Sequence, residues 1–101
     1  MRPAAQAKFF LESFQQRKAM YIQPVSIETA HSFLSGFYLA CMACGLAADW
    51  DAWNKVVRER GWDTGAACPI PAMRASGMDE EATIDELITI CREAIARSTT
   101  T

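Results

Sequence analysis

SIETAHSFLSGFYLACMACG, running from Ser26 to Gly45, decides the fold of this 101-residue chain. Ile27, Ala30, Leu34, Phe37, Cys41 and Cys44 recur at alternating three- and four-residue steps, with Phe33, Tyr38 and Met42 filling the flanks. A helix apolar nearly all round has to be surrounded by other elements. The stretch therefore predicts an all-α fold, a compact bundle of about four helices around a central apolar helix at about 26–47. Its start is marked locally: Pro24 ends the preceding loop, Ser26 caps, Glu28 favours the positive helix end, and Val25 with Ala30 forms a staple. Gly36, Ala40 and Cys44 make a ridge of small residues at four-residue spacing, where another helix approaches closely.

Upstream, Ala7, Phe10, Leu11 and Phe14 give a first helix from about Ala4 to Arg17, with Pro3 suited to its first turn. The loop from Lys18 to Pro24 contains Met20, Tyr21 and Ile22, which folds it back toward the core. Downstream, a third helix opens with Asp49 as cap and closes at Arg60. Gly61 there takes the left-handed position, and Trp62 returns onto Val57. Residues 63–77 form the longest loop, carrying a short turn of helix around Ile70 and Met73. Ile84, Leu87, Ile88, Cys91 and Ile95 define the last helix, capped by Asp79 or by Thr83 in a capping box with Glu86. Residues 1–98 make one domain, and Thr99, Thr100 and Thr101 are expected as a disordered tail. The core is expected to include Phe10, Phe14, Leu34, Phe37, Cys41, Leu87, Ile88 and Cys91, with Phe37→Ala among the most damaging truncations.

Half the residues are hydrophobic and 22% are charged, a globular balance. The net charge of −2 argues against nucleic acid as a partner. Residues 1–48 carry +2 and residues 49–101 carry −4, so the acidity is C-terminal. The uncharged run between His31 and Asp49 is 17 residues long and contains glycines and serines, which is short for a membrane span. With no secretory signal visible near the N-terminus, the cytoplasm is the expected location and the four cysteines are expected as reduced thiols.

Cys41 and Cys44 have the spacing of redox and zinc pairs, but they lie late in a helix, where the dipole disfavours a thiolate. Cys68, Cys91 and His31 would have to complete a metal site, and no second short-spaced pair exists. The expectation is no metal and no cofactor. His31, the single histidine, has only Glu28 as a sequence-near carboxylate, and no phosphate loop, serine elbow or two-histidine motif is present. No catalytic residue is assigned, and the chain is not expected to be an enzyme.

Asp79, Glu80, Glu81, Asp85 and Glu86 crowd the start of the last helix. They complement the helix dipole, or, together with Asp49, Asp51 and Asp63, they rim a binding surface with aromatic anchors. Trp50, Trp53 and Trp62 fall within thirteen residues and serve either as core or as those anchors. On the second reading the partner-binding residues are Asp49, Trp50, Asp51, Trp62, Asp63, Asp79, Glu80 and Glu81, and they meet a protein with a basic site.

Arg17-Lys-Ala-Met20-Tyr-Ile22, Ser26-Ile27, Phe33-Leu-Ser-Gly36-Phe37, Gly61-Trp62 and an acidic start to the last helix occur in that order. This order resembles small bacterial immunity proteins, the partners of polymorphic toxins, over most of the chain. Lys18-Ala19 stand where such proteins tend to carry Pro-Gly. The resemblance implies a non-enzymatic inhibitor that neutralises a cognate toxin or enzyme by occluding its site, and it carries no functional residue over. The alternatives are a phage- or mobile-element-encoded inhibitor of a host defence complex, and a thiol- or zinc-dependent regulatory subunit using Cys41 and Cys44.

Overall fold

Helices in the middle and at the end of the chain begin at side-chain caps that the local sequence supplies. A computed structural model describes residues 3–47, 49–62 and 68–98. Asp63 and the expected tail at Thr99–Thr101 lie outside the described residues. Helix α1 spans Pro3–Gln16, a single 3₁₀ turn follows at Lys18–Met20, and α2 spans Ile27–Ala43. Helix α3 spans Trp50–Glu59, α4 spans Ile70–Ala75 and α5 spans Glu80–Ser98. No strand occurs among the described residues, so the fold is an all-α bundle.

Ser26 caps α2 by accepting the Thr29 N–H at 3.2 Å, while the Thr29 hydroxyl oxygen accepts the Ser26 N–H at 3.1 Å. Val25, expected as a staple, is left 39% exposed. Asp49 caps α3 through the Ala52 N–H, 3.1 Å away. At the other end of α3, Gly61 has φ +87 and donates to the Arg58 carbonyl, and Trp62 N–H donates to the Val57 carbonyl, both at 3.0 Å. That is the Schellman end anticipated from Gly61-Trp62. Asp79 is the cap of α5, accepting the Ala82 N–H at 2.7 Å. The expected Thr83–Glu86 capping box does not form, because Thr83 is fully buried inside the helix and donates back to the Asp79 carbonyl at 2.8 Å.

The element shared by all the packing is α5 rather than α2: α1, α2, α3 and α4 each lie against it. Thr83, Ile84, Leu87, Ile88, Ile90, Cys91, Ala94 and Ile95 are its buried positions, an arc too wide for a one-sided surface helix. Helix α2 buries Ile27, Ala30, Leu34, Tyr38 and Cys41 but leaves its opposite side in water. Gly36, Ala40 and Cys44 lie on exposed positions, so among the described residues no helix takes up the small-residue ridge. Phe10 and Phe37, expected in the core, are half-buried at its rim and stack on each other at 4.9 Å. Phe14, Leu34, Cys41, Leu87, Ile88 and Cys91 are buried as expected, joined by Leu11, Tyr38 and Met73.

Candidate functional site

The chain ends of four helices decide which exposed side chains meet. The 3₁₀ turn is fastened to α5 by Lys18, whose ammonium lies 2.9 Å from Asp85 Oδ1 and donates to the Gln15 carbonyl at 2.9 Å. The end of α4 is fastened to the start of α2 by an Arg74–Glu28 ion pair at 2.9 Å. The Glu28 carboxyl is held below its ordinary range first by its own helix-start N–H and then by Arg74. These ties gather the end of α1, the start of α2, the end of α4 and the start of α5 at one end of the bundle. The start of α3 lies at the other end: Asp49 and Asp51 border a groove with Arg97 and Ser98, the last turn of α5.

This geometry separates the acidic residues grouped on sequence. Asp49, Trp50 and Asp51 stand at the C-terminal end of α5, whereas Asp79, Glu80 and Glu81 stand at its N-terminal end. A 19-residue helix puts about 27 Å between them. Asp49 is occupied structurally, as the α3 cap and through its carbonyl, which accepts the buried Tyr38 hydroxyl at 2.6 Å. Trp53 is core at 4% exposure. Trp50 is 39% exposed, with its ring 4.8 Å from Tyr38 and 5.7 Å from Trp53.

Trp62 is half-buried and donates its indole N–H to Glu86 Oε2 at 2.8 Å. Glu86 also accepts Arg60 Nε at 2.6 Å and Nη2 at 2.7 Å, while Arg60 Nη1 reaches Glu93 Oε1 at 3.0 Å. The Arg60 guanidinium and, after it, the indole hold the Glu86 carboxyl below its ordinary range against the opposing effect of burial. This forked network clamps the end of α3 onto two turns of α5. Trp62 and Glu86 are thus committed to the fold.

What the loop end offers instead is an apolar platform with an acidic edge. Met20 is 71% exposed, Val25 39% and Tyr21 38%. Tyr21 is not loose: its ring packs edge-on against Phe10 at 5.3 Å and Phe14 at 5.8 Å. The loop behind it is braced by the Thr29 hydroxyl, which donates to the Pro24 carbonyl at 2.5 Å. A groove of about 430 Å³ bounded by Tyr21, Ile22, Glu28, Ser32 and Phe33 opens beside it. Glu81 lies one turn before Asp85, the residue to which Lys18 fastens the 3₁₀ turn, so the two carboxylates fall on one side of α5. Neither Glu80 nor Glu81 has an ion-pair partner among the described residues. In the sequence Met20 and Tyr21 are apolar residues of a loop that folds back toward the core, part of the Arg17–Ile22 motif and, with Ile22, the second choice of binding face after the acidic half. The bracing of Tyr21 depends on Phe10, Phe14 and Phe33, which come from other elements and which no local pattern reveals.

The thiols fall into separate places. Cys41 and Cys91 are buried between α2 and α5, and burial pushes both thiols up from their ordinary range. Cys44 is exposed at the end of α2, and Cys68 shares a groove with His31 and Arg74 beside α4. Among the described residues no three histidine, cysteine or acidic side chains converge as a metal site. Nor is any described helix long and apolar enough to cross a membrane. Set beside known protein families, characterised proteins and solved structures, the chain matches none.

Proposed function

We propose that this chain is a non-enzymatic protein-binding inhibitor, an immunity-type protein that neutralises a toxin or enzyme by covering its site. The observation that carries this reading is the braced loop presenting Met20, Tyr21 and Val25 to solvent. Exposed apolar side chains on a mobile loop lose entropy on binding. Here Lys18, Thr29 and two phenylalanine rings already hold the loop, so less ordering remains to oppose association. An aromatic backed by rigid neighbours and flanked by flexible methionine is the anchor-and-fill arrangement of interface hot spots. The carboxylates of Glu80 and Glu81 at the same end favour a partner whose apolar pocket is rimmed by lysine or arginine. Order along the chain supports the same reading, because the immunity-protein resemblance includes Arg17 to Ile22.

The test places a photo-crosslinking residue at position 20 in the cell that produces the protein, then purifies whatever partner is joined there. On this reading the partner is a toxin or enzyme whose activity falls to zero at one-to-one stoichiometry with the wild-type chain. A partner that keeps full activity in the saturated complex contradicts the inhibitor reading.

A further inference from the structure

The groove of about 430 Å³ beside Tyr21 is a concave neighbour to the convex platform, and its lining has a definite chemistry. Two rings form its apolar wall: Tyr21 and Phe33 stand 6.4 Å apart, inclined at 53°. Both are backed, Tyr21 by Phe10 at 5.3 Å and Phe33 by Phe14 at 4.8 Å. Glu28 is the one charged side chain in the lining, which contains no lysine or arginine.

Glu28 stands between two grooves. It also lines the neighbouring groove together with Arg74, whose Nη2 reaches Glu28 Oε1 at 2.9 Å, and Arg74 does not line the groove beside Tyr21. Both members of that pair are largely exposed, so it is loosely held. A carboxylate offers about four acceptor sites, so Glu28 keeps capacity for a donor that enters along Tyr21. Its carboxyl is held below the ordinary range and is therefore charged at neutral pH. An anionic occupant is disfavoured, because the first-turn N–H groups of α2 that would attract one are taken: Ser26 accepts the Thr29 N–H, and the Glu28 carboxylate accepts its own.

We propose that this groove receives an arginine side chain of the docked partner, its guanidinium on the Glu28 carboxylate and its stem along Tyr21, Ile22 and Phe33. The assignment rests on the docking reading above and adds the chemistry of one contact within it. An arginine stem is apolar enough to lie on Ile22 and the rings. Its planar head stacks on aromatic faces and is less strongly hydrated than a lysine ammonium, so it costs less to seat in a half-apolar groove. Its fork of donors can share Glu28 with Arg74 while also reaching the exposed Ser32 hydroxyl and the Gln23 amide oxygen, both in the lining. Met20 reaching into the partner and an arginine reaching back interlock the two surfaces.

The test needs no partner. N-acetyl-arginine N-methylamide is titrated into the isotope-labelled full chain and followed by amide chemical shifts. Gln23, Glu28, Ser32 and Phe33 should move saturably, with a dissociation constant on the order of 1 mM for so small a ligand. The citrulline analogue, which keeps the shape and loses the charge, should bind about tenfold more weakly or worse, and Glu28→Gln, at an exposed position, should weaken the arginine compound by about as much. Amides that stay still, or equal binding of the citrulline compound, or a Glu28→Gln chain that binds as well as wild type, overturns the assignment. If that happens while crosslinking at position 20 still recovers an inhibited partner, the arginine groove falls and the inhibitor reading stands. Specific arginine binding together with a captured partner that keeps full activity does the reverse.

Discussion

Phe14→Ala should be far more damaging than Phe37→Ala, although both rings belong to one aromatic cluster. Phe14 is fully buried, with its ring 4.8 Å from Phe33 and 5.8 Å from Tyr21. Emptying that site costs about 3–5 kcal/mol in lost transfer energy and cavity. A chain of 101 residues has an unfolding entropy on the order of 0.2 kcal/mol/K, so the melting temperature should fall by roughly 15–25 °C. Phe37 is half-buried and loses chiefly one stacked ring at 4.9 Å, so its truncation should cost about 1–2 kcal/mol, or roughly 5–10 °C. Urea and thermal unfolding followed by far-UV circular dichroism measure both. Nitration of Tyr21 by tetranitromethane adds a local readout, since Phe14→Ala removes a ring that backs it and should speed its modification. If Phe37→Ala destabilises as much as Phe14→Ala, the placement of the core between α5 and the inner side of α2 is wrong.

Glu86→Gln should blunt the acid side of the stability profile. The folded carboxyl lies below its ordinary range, so its stabilising effect is present above the unfolded value of 4.5 and is lost as pH falls through the folded one. A variant with the same acid midpoint as wild type would contradict the Arg60–Glu86–Trp62 clamp. Tyr38→Phe, which removes the hydroxyl that the Asp49 carbonyl accepts, should cost about 1 kcal/mol by urea melt, and an unchanged midpoint would contradict a stabilising role for that bond. In native thiol titration Cys44 should react first, while Cys41 and Cys91 wait for unfolding because both are buried and protonated. Four fast thiols would refute that packing.

Local chemistry was legible and long-range chemistry was not. The caps at Ser26 and Asp49 and the turn at Gly61-Trp62 need only a few neighbouring residues, and each formed as read. The mistaken centre of the bundle has a physical cause. Helix α2 looks apolar all round because its exposed side carries glycine, alanine and serine with a single large apolar residue, Leu39, whereas α5 hides a wider buried arc among its charged residues. Counting acids by half of the chain likewise joined Asp49 and Asp51 to Asp79, Glu80 and Glu81. Helix α3 instead meets α5 with its start at the far end. The sequence leaves Trp62 open between core and anchor, because the partner of its N–H, Glu86, stands 24 residues on.

The measurement that bears most directly on the docking claim compares Tyr21→Ala with Trp50→Ala for binding to the partner recovered from the producing cell. The two aromatics have nearly equal exposure, 38% and 39%, and stand at opposite ends of the bundle. The account predicts that Tyr21→Ala raises the dissociation constant by about 30-fold or more, while Trp50→Ala leaves it within a factor of about two. The reverse ranking, with Trp50→Ala abolishing binding and Tyr21→Ala neutral, would move the binding surface to the start of α3 and contradict the account.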